Sequence, residues 1–410
     1  MCSWVATAVI EHYNKNKKTV YGCAMDLSKA FDLVEWVELF GTLQDKNISP
    51  VFLRILLFIY SNQYCDVKWN GSSSHRFPVQ NGVRQGAVSS PLLFSIYIDG
   101  LIKELRMSGL GCRMDRFFVG CLGYADDLLI MSASRSGLQS MVKICEEFAK
   151  TKSLKFSTNA DLKKSKTKCI VFSKARQPDV APILLNGDPL PWVREVKHLG
   201  CVLQSDNSMK IDCTQKRGKF IGKVNSLLKE FHFVDHAIFV KLLNLYCTSF
   251  YGSNLWNLYS AEVDRIFKSW NVTIRNVFDL PWQTHRYWIE TVSSCHHPKT
   301  LLLARFVKFA GTLTASKKSS VRYLSSLCHG DRRTLLGRTL EKISSECQTE
   351  LVSLTPNTVK NTLKYFPIPD DQKWRAPLLL ELLDAREQNL TIENLTSNDI
   401  KYLIDNICTR

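Results

Sequence analysis

One aspartate closes an apolar run in this chain and two more sit in the turn between two others, and that arrangement limits its fold more than any other feature. Residues 20–25 predict a short apolar strand with Asp26 at its end. Residues 117–122 and 128–131 predict two more, joined through Gly123-Tyr124-Ala125-Asp126-Asp127. One sheet holding all three strands brings Asp26 beside the Asp126-Asp127 turn. Adjacent ionised carboxylates repel unless a cation lies between them, and Mg²⁺ is commonly held by one or two carboxylates plus substrate phosphates. By itself, Tyr124-Ala125-Asp126-Asp127 is better read as an ordinary polar turn. The third carboxylate changes the balance, because three together suit two ions about 3.5–4 Å apart, the arrangement for in-line phosphoryl transfer. Asp32 lies further on and is expected to cap a helix.

Around these strands the pattern alternates. Helices are predicted over residues 2–13, 34–43 and 50–60, and a hairpin over 65–69 and 75–79 about Asn70-Gly71. Ser89-Ser90-Pro91 predicts a helix start, with Ser as N-cap and Pro91 at the first helical position, and the helix runs to about residue 106. Gly82 and Gly86 just before it allow close backbone approach, and the helix start attracts anions. A helix over 137–150, a strand over 168–173, a turn at Asn186-Gly187 and a strand over 197–203 follow. After Ser208 helical periodicity dominates, which places a domain boundary near residue 207. The fold class predicted is therefore α+β, an antiparallel sheet with helices followed by an all-helical half.

Length and composition agree with a folded chain of two or three domains: 410 residues, 45% hydrophobic and 22% charged. The net charge of +16 suits a partner that carries phosphates, although a merely basic protein has the same excess. Fourteen cysteines without a C-x-x-C pair argue against a disulfide framework or a zinc site. Cys295-His296-His297 and Cys328-His329 are accordingly read as structural. The cysteines are expected to be reduced thiols in an intracellular protein, nuclear or cytoplasmic. No run of eighteen apolar residues and no leader pattern points to secretion or a membrane.

In their order and spacing, three segments resemble the palm motifs of reverse transcriptases. They are Asp26-Leu27-Ser28-Lys29-Ala30-Phe31-Asp32, then Arg84-Gln85-Gly86 through Ser89-Ser90-Pro91-Leu92-Leu93-Phe94, and Tyr124-Ala125-Asp126-Asp127. The detail, above all the first string, is similar to LINE-type non-LTR retrotransposons. The resemblance implies a polymerase right-hand palm over residues 1–207, a helical thumb over 208–295 and a helical C-terminal region over 296–410. It makes Asp26, Asp126 and Asp127 ligands of two Mg²⁺ ions, with Mn²⁺ as the alternative metal. Phe31 matches the steric gate against a ribose 2′-hydroxyl, with a core phenylalanine as an equal reading. Arg84, Gln85 and Gly86 match nucleotide contacts, and Tyr124 matches a residue at the primer end or, nearly as well, a packed strand aromatic.

Lys166-Thr167-Lys168-Cys169-Ile170-Val171-Phe172 resembles the fourth palm motif, in which Lys166 would protonate the leaving pyrophosphate. Lys163, Lys164, Lys166 and Lys168 also read as a solvated basic loop. Val196-Lys197-His198-Leu199-Gly200 resembles the primer grip, with His198 in the place of an aromatic residue. In the helical half, Tyr251-Gly252 with Leu255-Trp256, and Leu280-Pro281 before His285-Arg286, are similar to the region after the palm in LINE polymerases. Its aromatics are read as bundle core rather than base-stacking platforms. RNA template, DNA primer and dNTPs are the implied partners.

Few residues precede Asp26, where this family carries a fingers domain, so an N-terminally truncated copy with weak or absent activity is expected. A non-catalytic nucleic-acid-binding remnant is the alternative. Phe31 and the Tyr-Ala-Asp-Asp tetrad argue against an RNA-directed RNA polymerase.

Overall fold

The strand that ends on Asp26 lies in the middle of a five-stranded sheet, paired on both sides. The computed structural model describes residues 1–158, 165–173, 180–363, 370–373, 375–387 and 397–409, and it divides into Met1–Asn207 and Ser208–Arg410. In the first unit α1 (Cys2–Lys15) leads into β1 (Val20–Asp26), then α2 (Trp36–Asp45) and α3 (Pro50–Ser61). A small ribbon follows: β2 (Tyr64–Cys65), β3 (Lys68–Trp69), β4 (Ser72–Ser73) and β5 (Phe77–Pro78). Next come α4 (Ser90–Met107), β6 (Arg113–Met114), β7 (Phe117–Phe118), β8 (Cys121–Tyr124), β9 (Asp127–Ser132) and α5 (Arg135–Thr151). The unit closes with β10 (Lys168–Phe172), β11 (Ile183–Leu185), β12 (Asp188–Leu190), β13 (Trp192–Val193), β14 (Glu195–His198) and β15 (Cys201–Gln204).

The sheet order is β13-β10-β1-β9-β8. It departs from the expected antiparallel sheet at one edge, where β13 runs parallel to β10. The chain reaches that edge through the β11–β12 hairpin rather than by a direct reversal. Val20, Cys23 and Met25 of β1 and Leu128 to Met131 of β9 are buried, which explains the unbroken apolar runs. Helix α5 covers the sheet with Leu138, Met141, Val142, Cys145 and Phe148, at the spacing of one helical face. Ser134 caps it by accepting the Gly137 N–H, 3.1 Å away. Phe148 in turn packs over Gly100 of α4, where an added Cβ would lie 3.1 Å from its ring.

Two expected strands divide. The run over 117–122 breaks at Gly120, which presses on the Cys112 amide so closely that a Cβ would lie 2.8 Å from it. The run over 197–203 folds back at Leu199 and Gly200, with φ of +48° and +74°, into the β14–β15 hairpin. The expected start of α4 is also corrected: the helix begins at Ser90, so Pro91 is its second residue, and the N-cap position falls to Ser89. Its backbone is already helical and its side chain makes no cap bond, whereas Ser90 Oγ donates to the Arg84 carbonyl at 2.6 Å.

The second unit is helical throughout its described residues, from α6 (Lys210–Glu230) and α7 (His236–Cys247) through α8 (Ala261–Val277), α9 (Arg286–Ser293) and α10 (Pro298–Thr314). Further helices continue to Thr409. Trp256, Trp270 and Trp288 are fully buried, and Trp256 Nε1 donates to Asp212 Oδ2 at 2.8 Å. The core reading thus holds for these tryptophans and for Phe250 and Phe278, whereas Tyr246, Tyr251 and Trp282 of the same stretch are exposed. His297 is structural too: its Nδ1 accepts the Lys299 N–H, Nε2 lies 3.2 Å from Asn271 Oδ1, and burial lowers its pKa to about 3. All fourteen cysteines are free thiols. Among the described residues no helix is long and apolar enough to cross a membrane.

What fixes the loop before α4 is a seam to the turn after β1. Gly82 N–H donates to Val34 O at 2.8 Å, Val83 N–H to Phe31 O at 2.7 Å, and Trp36 Nε1 to Gly82 O at 2.8 Å. Gly82 has φ of +86°, and a Cβ there would sit 3.0 Å from the Phe31 carbonyl and 3.1 Å from Asp32 backbone. Backbone on that side cannot swing away as a side chain does. Gly82→Ala is expected to destabilise the protein by about 1–3 kcal/mol, seen as a lower urea midpoint; an unchanged midpoint would refute the seam.

Candidate active site

The site is built on one strand register. β1 and β9 run antiparallel with Asp26 directly opposite Asp127. β8 pairs with the other edge of β9, and because Tyr124 partners Asp127, the turn is only Ala125-Asp126. Ala125 has φ of +52°, in the left-handed region that alanine seldom occupies, so the turn bearing Asp126 is strained. Asp26, Asp126 and Asp127 therefore share one end of the sheet.

Their electrostatics reflect that crowding. Asp127 has its carboxyl pKa raised by partial desolvation first, then by Asp126 and by Asp26, with Lys197 acting against the rise. Opposed like charges across strands are unfavourable in any sheet. On the other side, Lys166 Nζ stands 3.7 Å from Asp26 Oδ2, with its side chain largely exposed. Lys163 and Lys164, read with it as a basic loop, lie outside the described residues.

Thr167, which sequence reasoning passed over, holds Asp26 in place. Its buried Oγ1 accepts the Asp26 N–H at 3.3 Å, while the Asp26 carbonyl accepts the Ser157 N–H at 2.7 Å. The available signal was a β-branched hydroxyl just before an apolar strand, obscured by the lysines around it.

Arg84, Gln85 and Gly86 are exposed on the loop pinned by Gly82. Gly86 has φ of +85° and open space where a Cβ would be. Gln85 Nε2 donates to Asp32 Oδ1 at 3.0 Å, tying this loop to the segment after β1. That corrects the helix-cap expectation for Asp32: the residue before α2 is Glu35, and it makes no side-chain cap bond. Beside this contact opens a cleft of about 490 Å³ lined by Asp32, Gln63, Tyr64, Arg84 and Gln85 among others.

Phe31 is half-buried, its ring 5.0 Å from that of Phe94, so packing fixes it without hiding it. Tyr124 is 66% exposed, which removes the packed-strand reading. In the β14–β15 hairpin, Lys197 and Gly200 are exposed and Leu199 is half-buried, whereas His198 is 3% exposed. His198 Nδ1 lies 3.1 Å from Ser3 Oγ, and burial, then the nearby N-terminal ammonium, lowers its pKa to about 4. A neutral ring turned inward cannot contact a primer, and the expectation of such a contact at His198 is corrected.

Among the described residues no group of three or more His, Cys, Asp or Glu side chains is arranged to hold a metal ion as it stands. The donor set nevertheless suits a hard divalent cation. The backbone brings three carboxylates to one sheet end, they repel one another, and oxygen is the ligand Mg²⁺ takes.

Residues 2–203 match the family described as reverse transcriptase (RNA-dependent DNA polymerase). This part of the chain is a reverse transcriptase domain. The chain is 28% identical over 174 residues to the "Retrovirus-related Pol polyprotein from type-2 retrotransposable element R2DM" of Drosophila melanogaster, covering 42% of this chain and 16% of that protein. It is 24% identical over 217 residues to the "RNA-directed DNA polymerase from mobile element jockey" of Drosophila funebris, covering 52% and 23%. The domain belongs with those of non-LTR, LINE-like retrotransposons, and the chain spans less than a quarter of either relative. A telomerase from Candida tropicalis in complex with a telomeric RNA fragment is similar at a TM-score of 0.40, with 14% identity over 95% of this chain and 52% of that one, too slight a likeness to argue from.

The raised carboxyl of Asp127 gives a stability prediction with a definite sign. The folded state holds this proton more tightly than the unfolded chain, so the favourable contribution is present below the ordinary value of 3.8 and is lost as pH rises through the folded value. Asp127→Asn cannot ionise. It should raise the melting temperature at pH 7, with the gap to wild type closing as pH falls toward 4, and a lower melting temperature at pH 7 would contradict the crowding.

Proposed function

We propose that this chain carries the palm of an RNA-directed DNA polymerase, extending a DNA primer on an RNA template with dNTPs. The observation that supports this most directly is the pairing of Asp26 with Asp127 beside the Asp126 turn. Two Mg²⁺ ions, or Mn²⁺, held by these carboxylates would supply a more acidic primer 3′-hydroxyl and a counter-charge for pyrophosphate.

Each remaining role falls to a residue with suitable placement. Lys166 is near Asp26 and exposed, so its ammonium can swing to a leaving pyrophosphate and give up a proton. Phe31, fixed by Phe94, is the surface that would exclude a 2′-hydroxyl. Exposed Arg84, Gln85 and Gly86 would receive the incoming nucleotide, and Tyr124, Lys197, Leu199 and Gly200 the primer end. In this reading residues 1–207 are palm, 208–295 thumb and 296–410 a helical extension, with the lysines along α6, Lys210, Lys219 and Lys229 among them, directed to duplex phosphates.

Primer extension by the purified chain, with an RNA template, a DNA primer, dNTPs and Mg²⁺, tests the reading. Asp26→Asn and Asp126→Asn should each lower extension at least about 100-fold, since both remove transition-state charge stabilisation. Phe31→Ala should admit ribonucleotides that wild type rejects. Primer–template binding without extension by wild type would leave a non-catalytic nucleic-acid-binding protein in place of the polymerase.

A further inference from the structure

The ribbon formed by β2–β5 has no part in the site described above, and its composition is unusual for an exposed element. β2 pairs only with β5 and β3 only with β4, and every residue of the four strands is exposed. A two-stranded ribbon without a covered face gains little from burial, yet this one carries Tyr64, Trp69 and Phe77, exposed by 61%, 81% and 46%.

Its charges are equally one-sided. Between residues 50 and 90 the only carboxylate is Asp66, against Arg54, Lys68, Arg76 and Arg84. Asp66 is itself engaged, accepting a hydrogen bond from Ser73 Oγ at 2.6 Å. Lys68, Arg76 and Arg84 are exposed and form no ion pair among the described residues. Aromatic faces interleaved with unpaired cations match a chain of phosphates with unstacked bases.

The base of the ribbon reaches the candidate site. Tyr64 and Cys65 of β2 line the cleft of about 490 Å³ together with Asp32, Arg84 and Gln85. A strand lying along the ribbon would therefore enter next to the loop that is proposed to receive the nucleotide.

We infer that the β2–β5 ribbon is a binding platform for single-stranded nucleic acid, on which the unpaired RNA template stacks against Trp69 while Lys68 and Arg76 contact its phosphates. The template identity rests on the polymerase reading; the platform itself does not. Duplex, whose bases are already stacked, has no use for an exposed indole.

Fluorescence anisotropy with labelled single-stranded RNA, single-stranded DNA of the same sequence and blunt RNA–DNA duplex, all without divalent cation or dNTP, tests the platform. Trp69→Ala should weaken RNA single-strand binding roughly tenfold, Trp69→Phe should restore most of it, and duplex affinity should stay within about twofold. Lys68→Ala with Arg76→Ala should flatten the salt dependence of single-strand binding by roughly 0.7 per cation removed. DNA bound as well as RNA keeps the platform but removes selectivity for template sugar. Unchanged single-strand affinity in Trp69→Ala, or an equal loss for duplex, overturns the inference. So does a change of oligomeric state on size-exclusion chromatography with RNA affinity intact, which would make the ribbon a protein contact. Single-strand binding is read without divalent cation or dNTP and primer extension with both, so a failure of the chemistry and a failure of the platform are separately visible.

Discussion

The antiparallel register of β1 on β9, which sets Asp26 opposite Asp127, is the constraint on which the candidate site depends. A one-residue slip of β1 against β9 would turn Asp26 to the opposite face and send Met25 or Leu27 out of the core. Burial of Cys23 and Met25 with their partners Ile130 and Leu128 on one face opposes that slip, because the register that hides these side chains also sets two carboxylates side by side. The apolar energy of the sheet thus holds charges where repulsion alone would part them. Thr167 and Ser157 complete the anchoring through the Asp26 backbone, leaving its carboxylate available.

A second constraint organises the neighbouring loop. Gly82 and Val83 are bonded to Val34 and Phe31, and Gln85 reaches Asp32. The segment after β1 and the loop before α4 therefore behave as one piece, with Phe31 held between that seam and Phe94. Residues that would select and bind a nucleotide are set by backbone contacts more than by their own side chains.

Much of this was legible in the sequence because it follows from short-range pattern. Apolar runs ending on Asp26 and enclosing Asp126-Asp127 define both strands and their acidic ends, and the change to helical periodicity after Ser208 coincides with the start of the second unit. What was not legible depends on contacts distant in sequence. His198 is turned inward by Ser3, which lies far away along the chain, and nothing local distinguishes it from an exposed ring. The parallel β10–β13 pair depends on the path of an intervening hairpin. No serine side chain caps α4, because the Ser90 hydroxyl is spent on the Arg84 carbonyl of the preceding loop, a contact that the local pattern does not show. Thr167 was hidden by its own neighbours, since lysines draw attention and a buried hydroxyl between them does not.

The central claim is that the acidic end of the sheet is a divalent-cation site. Electron paramagnetic resonance of Mn²⁺, titrated into the protein with a deoxynucleoside triphosphate present, measures this without relying on turnover. The account predicts protein-bound Mn²⁺ that is lost when Asp26 or Asp126 is replaced by asparagine. Mn²⁺ binding that survives unchanged in both variants would contradict it.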